Sequence, residues 1–332
     1  MDTVGATTLL FLENLCSTHP SNCANESSIG NAWHMAEKRE RINSNNTTSA
    51  LVWASRLSVV ATGLTVPFLT NALRHMSSVT GTSSTIAVWA LWSIALLSTL
   101  VPSSTGLTAI RLALPTISVI VGAVGIANGI SSGVVAALAI SLLASLLVMS
   151  AEIGNSFIEL AAYGDERRYL LRCPPAMLVV QILSWLVWVA LTIVAINFFD
   201  NEAFVPGGIA AVTAVFLTIA LPRRFHRFSR RWLVSVPAGL VIHDHVVLAE
   251  TAMFMHNAVI EIGIETAQSE AADLSGKCAG LGLVITLKDF DTVVFAGTPK
   301  TPGGSAIHVK SMRVCPTRPG RARTALTTAQ RA

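Results

Sequence analysis

Charged side chains almost vanish between Leu57 and Leu221. Inside that stretch they return mainly as one cluster, Ala151 to Pro175, with four acids and three arginines. A backbone in lipid has no water to bond, so only helices and closed barrels cross a bilayer. Unbroken apolar runs approaching the ~20 residues that a helix needs point to helices. Six runs qualify: residues 57–73 with Pro67 inside, 84–101 with Trp89 and Trp92, 107–126 with Arg111 and Pro115, 133–150, 175–199 and 204–221. Soluble domains carry roughly 25% charged residues, whereas this chain is 13% charged and 52% hydrophobic. With a mean hydropathy of +0.59, the composition describes one membrane domain with polar ends.

Basic residues orient it. Arg167, Arg168 and Arg172 fall between the fourth and fifth runs, and Arg223, Arg224, Arg227, Arg230 and Arg231 follow the sixth. Lys38, Arg39, Arg41 and Arg56 precede the first run, and with six spans all of these share one side with Arg111. The other side holds Arg74 and two neutral loops. The positive-inside rule therefore puts both termini in the cytoplasm and the protein in the cell membrane. The net charge of +4 is accounted for by this asymmetry, and no nucleic-acid partner is expected.

The ends have other textures. Residues 1–50 are polar, rich in Ser, Asn and Thr, and read as a disordered cytoplasmic leader. A start codon assigned too far upstream is the other account. The apolar patch Thr8 to Leu12 is too short for a signal peptide and lacks a basic flank. Residues 51–228 are the six-helix domain, 229–320 a small β-rich cytoplasmic domain, and 321–332 a basic tail, helical or frayed. Within the β-rich part, residues 232–236 and 240–243 flank Pro237-Ala238-Gly239 as a hairpin. Residues 283–287 and 292–295 suggest a second hairpin about Lys288-Asp289-Phe290-Asp291, and 258–264 and 307–314 further strands; 266–275 reads as a polar connector.

Chemistry-bearing residues are few. Glu152, Asn155, Glu159 and Tyr163 recur at helical spacing as one stripe. With Asp165, Glu166, Arg167, Arg168 and Arg172 they form a candidate polar hub, either a cation path at a bundle mouth or a solvated helix end paired with the arginines. Arg223, Arg224, Arg227, Arg230 and Arg231, interleaved with Phe225, His226 and Phe228, form a candidate lipid-headgroup contact. Each basic residue near an anionic surface adds roughly 1 kcal/mol. Gln181 and Asn197 suit helix–helix hydrogen bonds. In His243-Asp244-His245 a strand would place both histidines on one face and Asp244 on the other, which fits a strand end better than a metal site. Cys16, Cys23, Cys173, Cys278 and Cys315 show no ligand spacing and read as free thiols. No phosphate loop, zinc-protease or nucleophile-elbow motif occurs, so no catalytic, cofactor or metal residue is assigned.

Ala162-Tyr163-Gly164-Asp165-Glu166-Arg167-Arg168 with Leu171-Arg172-Cys173-Pro174-Pro175 resembles a pattern in a family of uncharacterised actinobacterial multi-pass membrane proteins. So do Arg230 to Gly239 (RRWLVSVPAG) with His243-Asp244, and Pro316-Thr317-Arg318-Pro319-Gly320. The likeness spans roughly 57–320 and implies architecture without an activity. The tail's strand order also resembles a pleckstrin-homology-like β domain.

Three functions fit this reading. The favoured one is a membrane-anchored interaction or scaffold protein whose β domain meets a cytoplasmic protein or anionic headgroups of the bilayer. The alternative is a small-solute or ion transporter using the stripe Glu152 to Glu159, although no span carries a carboxylate at mid-depth. A membrane enzyme comes last, since no nucleophile–base pair is evident.

Overall fold

A computed structural model describes the backbone of residues 26–73, 78–265, 270–297 and 301–331. Side chains are described within these ranges except at 26–48, 72, 78–79 and 329–331. Cys16, Cys23 and Arg74 lie outside them. The chain forms two units, 1–50 and 51–332. The first unit is described from Glu26, where helix α1 (Glu26–Leu73) begins, so residues 26–50 of the expected leader are helical.

Six helices are long and apolar enough to cross a membrane. They are α1, α2 (Ser78–Leu100), α3 (Ser104–Asn128), α4 (Ser132–Met149), α6 (Pro175–Asp200) and α7 (Phe204–Ser229). The apolar windows of the first, third and sixth are longer than the sequence suggested: Ser49–Asn71, Ser104–Asn128 and Phe204–Ser229. Pro115 does not break α3, which is one helix of 25 residues. A proline within a membrane helix is tolerated where neighbours satisfy the freed backbone group. Small residues allow close approach in the bundle. Trp92 Nε1 donates to the Val59 carbonyl at 2.9 Å, and a Cβ at Gly63 would clash with that indole.

The fourth span ends at Ser150, whose hydroxyl caps the short amphipathic helix α5 (Ala151–Glu159). Beyond it lies β1 (Arg167–Leu170), then α6 and α7. The C-terminal part follows as β2 (Trp232–Val236), β3 (Gly239–His243), β4 (Ala252–Met255), β5 (Val259–Glu265), β6 (Ala272–Asp273), β7 (Gly282–Phe295), β8 (Ser305–Val314) and α8 (Pro319–Arg331). Two four-stranded sheets result, in the orders β1-β2-β3-β4 and β5-β7-β8-β6. Their inner faces share one core, including Leu233, Leu240, Phe254, Ile285 and Met312. Ala322 and Leu326 of α8 join that core, so the basic tail is a helix of the domain. A six-helix membrane domain with a β domain is therefore the architecture.

Besides β4, which no expected strand covers, and β6, which lies inside the expected connector 266–275, two elements differ from expectation. The second hairpin does not form: β7 is one strand of 14 residues running through Lys288 to Asp291. Its register against β8 shifts between Thr286 and Asp291, so the polar residues form a bulge. Those residues include no Gly, Pro or Asn to close a two-residue turn. The other difference is β1, which comes from the loop between spans and pairs with β2 from Arg167↔Ser235 to Leu170↔Trp232.

The joint between the two parts rests on Asn155, which is 9% exposed. Its side-chain oxygen accepts from the Leu170 N–H at 2.9 Å, and its nitrogen donates to Thr317 Oγ1 at 2.8 Å. Removing the acceptor leaves a buried N–H unpaired, at about 1–3 kcal/mol. Asn155→Ala should lower the melting temperature of the detergent-solubilised protein, and Asn155→Asp, which keeps the acceptor, should lower it less. Equal melting temperatures for both variants and the parent would show that this amide holds nothing together.

Candidate functional site

The polar stripe points at the β domain. Glu152 pairs with Arg318, Glu159 lies 4.0 Å from Arg321, and Asn155 reaches β1 and Thr317. The apolar side of α5 packs Ile153, Phe157 and Ile158 with Leu107 of α3 and Leu170 of β1. A Cβ at Gly154 would come within 2.7 Å of Arg111 Nη2 and 2.8 Å of a Leu170 methyl, so only glycine admits both. Arg111 Nε donates to the Val148 carbonyl at 3.2 Å, one of the last carbonyls of α4, which lack a helical partner.

The rest of the hub divides. Arg168 Nη2 donates to Glu166 at 2.8 Å, and its guanidinium lies 5.3 Å from the Trp232 ring and 6.0 Å from that of Tyr163. Arg172 donates to the Ala279 carbonyl at 3.1 Å. Tyr163 is 80% exposed, and Asp165 and Arg167 are exposed near it. The structure thus brings Glu152, Asn155 and Glu159 together with the C-terminal helix and its approach, and gathers Glu166, Arg168 and Trp232 separately. The helical spacing holds for Glu152, Asn155 and Glu159 on α5, but the helix ends at Glu159, so Tyr163 falls outside the stripe; spacing also carries no information about what a stripe faces.

The basic cluster also splits. Arg223, Arg224, Arg227 and Arg230 are exposed. Arg231 is only 1% exposed and turns into the domain, so its expected role as a headgroup contact is corrected. Its Nε and Nη2 donate to Asp244 at 2.7 and 2.6 Å, and its Nη1 to the Arg172 carbonyl at 2.5 Å. Asp244 also accepts from the Val246 and Val247 N–H groups, closing the turn. This buried, fork-shaped pair ties β2, the β3 exit and the hub chain at one point.

His243 stacks on Trp232 at 5.1 Å, and His245 meets it edge-on at 4.3 Å. The two histidines do share a side, with Asp244 opposed. Among the described residues no group of three or more His, Cys, Asp or Glu is placed to hold a metal. His243 Nδ1 lies 3.2 Å from Thr251 Oγ1, and its buried Nε2 has no hydrogen-bond partner. Burial, reinforced by His245 and Arg230, pushes its pKa down from 6.5 to about 4.

Cys173, Cys278 and Cys315 are free thiols. Burial pushes the Cys173 thiol up to about 11, which keeps it protonated and unreactive at neutral pH. Within the bundle, the buried hydroxyls of Thr62, Ser118 and Ser145 donate to carbonyls one turn back in their own helices. A cavity of about 230 Å³ lies between α1 and the start of α4, lined by Phe68, Leu69, Ser131, Gly133 and Val134. It sits at the bundle end remote from α5.

The depressed pKa of His243 has a signed consequence. The unfolded chain binds the proton first, so the stability that His243 lends is fully present above pH 6.5 and is lost as pH falls toward about 4. His243→Phe, which can still stack on Trp232, should flatten the melting-temperature profile across that window. A profile unchanged by the substitution would place the proton uptake elsewhere.

No family model matches the chain, and no curated protein or solved structure matches it either.

Proposed function

We propose that this multi-pass membrane protein is an anchored interaction protein of the cell membrane. Both termini would lie in the cytoplasm, and the β domain would be presented there to a soluble protein partner. The observation that carries this reading is the rigid attachment. The β domain takes one strand from between the fourth and fifth spans and is held to α5 by Asn155 and Glu152. A fixed domain suits presenting a surface in a constant orientation.

On that domain Phe290 stands 70% exposed at the β7 bulge among exposed Lys288, Asp289 and Asp291. An aromatic ringed by polar residues is the usual make-up of an interface anchor. The order of elements supports the pleckstrin-homology-like description: an antiparallel four-stranded sheet, a second sheet in which β5, β7 and β8 pair antiparallel and β6 joins parallel to β8, and a closing helix. The arginines of the hub and of α7 stand on the bundle end that carries the β domain, which supports the cytoplasmic placement. The transport reading finds less support, because Glu152 and Asn155 are engaged in holding the domain.

Orientation is checked with cysteines at two exposed positions. Asn201→Cys should react with an impermeant maleimide on intact cells, and Asp165→Cys only after permeabilisation. The reverse pattern would invert the topology. The partner is sought by mild-detergent purification of the full chain beside Phe290→Ser, with mass spectrometry of what stays bound. A stoichiometric protein retained by the parent and lost from the variant is expected. A partnerless parent whose solute flux in vesicles is abolished by Glu159→Gln would replace this reading with transport.

A further inference from the structure

The first sheet has two faces of different fate. Leu233, Leu240, Ile242 and Phe254 point into the domain core. The opposite face starts with the paired residues Leu170 and Trp232. These pack against Leu107, Ile153 and Phe157, with Leu51 and Val52 of α1 alongside. That face therefore looks toward the cytoplasm-proximal end of the helix bundle.

Side chains alternate along a strand, so the same face continues across the sheet. The register carries it from Trp232 to His243, then by two residues to Val241 and across to Met253, with Met255 opposite Gly239. Here the bundle no longer covers it: Met253 is 46% and Met255 53% exposed, and Val241 is partly open. Neighbouring strands rotate by roughly 20–25° each. Two steps from β2 turn β4 by roughly 40–50°, which carries its apolar side out from under the bundle end that covers Trp232.

The height of the sheet follows from its connections. The apolar part of α7 ends at Leu221, and the helix continues through Arg223, Arg224 and Arg227 to Ser229. Eight further residues at 1.5 Å rise cover about 12 Å. A headgroup layer is about 5–8 Å thick, so α7 delivers the chain to β2 just beyond that layer. Only Leu171 to Pro174 separate β1 from α6. Both connections are too short to lift the sheet away from the membrane surface.

We propose that the open part of this face, Val241, Met253 and Met255, rests on an anionic lipid leaflet beside the bundle. Arg223 and Arg224 occupy the adjoining headgroup layer, and Arg227 and Arg230 stand at its outer edge. The methionines supply flexible apolar side chains that fit the irregular interfacial layer of the headgroups. The exposed arginines on the adjoining helix end supply the charge complement for phosphate headgroups. A protein partner at Phe290 does not enter into this contact, which arises from a different surface.

The test uses the full chain in vesicles, with Cys16 and Cys23 replaced by serine and a nitroxide label at Met253→Cys or, separately, at Phe290→Cys. Power saturation compares oxygen, which concentrates in lipid, with a nickel chelate, which stays in water. In phosphatidylcholine vesicles containing phosphatidylglycerol, the label at 253 should favour oxygen severalfold more than the label at 290. Arg227→Gln with Arg230→Gln, both at exposed positions, should shift the label at 253 toward the aqueous reagent. Equal nickel access at 253 and 290 in anionic vesicles would overturn the proposal. So would a label at 253 shielded from both reagents in detergent in a concentration-dependent way, since a second copy would then be the cover.

Discussion

One buried amide joins the two halves of this protein. Asn155 stands on a helix that continues from the membrane domain, yet its oxygen takes the Leu170 N–H and its nitrogen reaches Thr317. Strand β1 is therefore held on one edge by β2 and at its end by a helix side chain. Around that point the backbone is interlaced. The Thr317 N–H donates to the Leu170 carbonyl, the Leu171 N–H to the Arg231 carbonyl and the Arg172 N–H to the Cys315 carbonyl. Buried backbone groups must find partners, and here those partners come from segments about 60 and 145 residues away in sequence. The β domain cannot complete itself without chain that lies between two membrane helices.

The break at Ser150 makes this possible. Had α4 run on without interruption, its polar continuation would have extended the helix direction of the bundle. Ser150 leaves helical conformation, caps α5 and exposes the end carbonyls of α4. Arg111 meets the Val148 carbonyl there, and its guanidinium lies against Gly154. A charge near the membrane boundary is costly unless its donors are used or reach water. In this place the cost is offset by capping a helix that would otherwise end with unpaired acceptors.

The membrane helices were legible because their signal is compositional and local: long apolar runs need no partner to be recognised. Hairpin β2–β3 was legible for the same reason, with Pro237-Ala238-Gly239 marking its turn. Strand β1 was not. Arg167-Arg168-Tyr169-Leu170 is short and half charged, and its partner lies beyond two membrane helices. The polar run Lys288 to Asp291 was misleading because polarity alone marks exposure, and an exposed bulge is as polar as a turn. The stripe on α5 was legible as a stripe, but the identity of Thr317 and Arg318 as its counterparts depends on long-range pairing that spacing cannot encode. Arg231 shows the same limit from the other side. It belongs to a basic run and is indistinguishable from Arg230 by sequence, but strand alternation and Asp244 take it inward.

Dependence also runs from the β domain back to the bundle. Only 6% of the apolar window of α6 is buried within the protein, and apolar contact with lipid gives a helix no preference for one neighbour over another. Its position must come from specific contacts. Trp185 donates to Thr116 of α3 at 3.2 Å and Trp188 to Thr218 of α7 at 2.8 Å, while Thr80 of α2 donates to Asp200 at the far end. The start of α6 has no side-chain cap; it is set by Pro174, two residues after the point where the Arg172 N–H bonds to Cys315. The start of the fifth span is thus placed by the β domain, while the strand that completes that domain is placed by the fourth. Each part supplies what the other lacks, which argues that the two fold as one body and that the domain cannot swing free of its anchor.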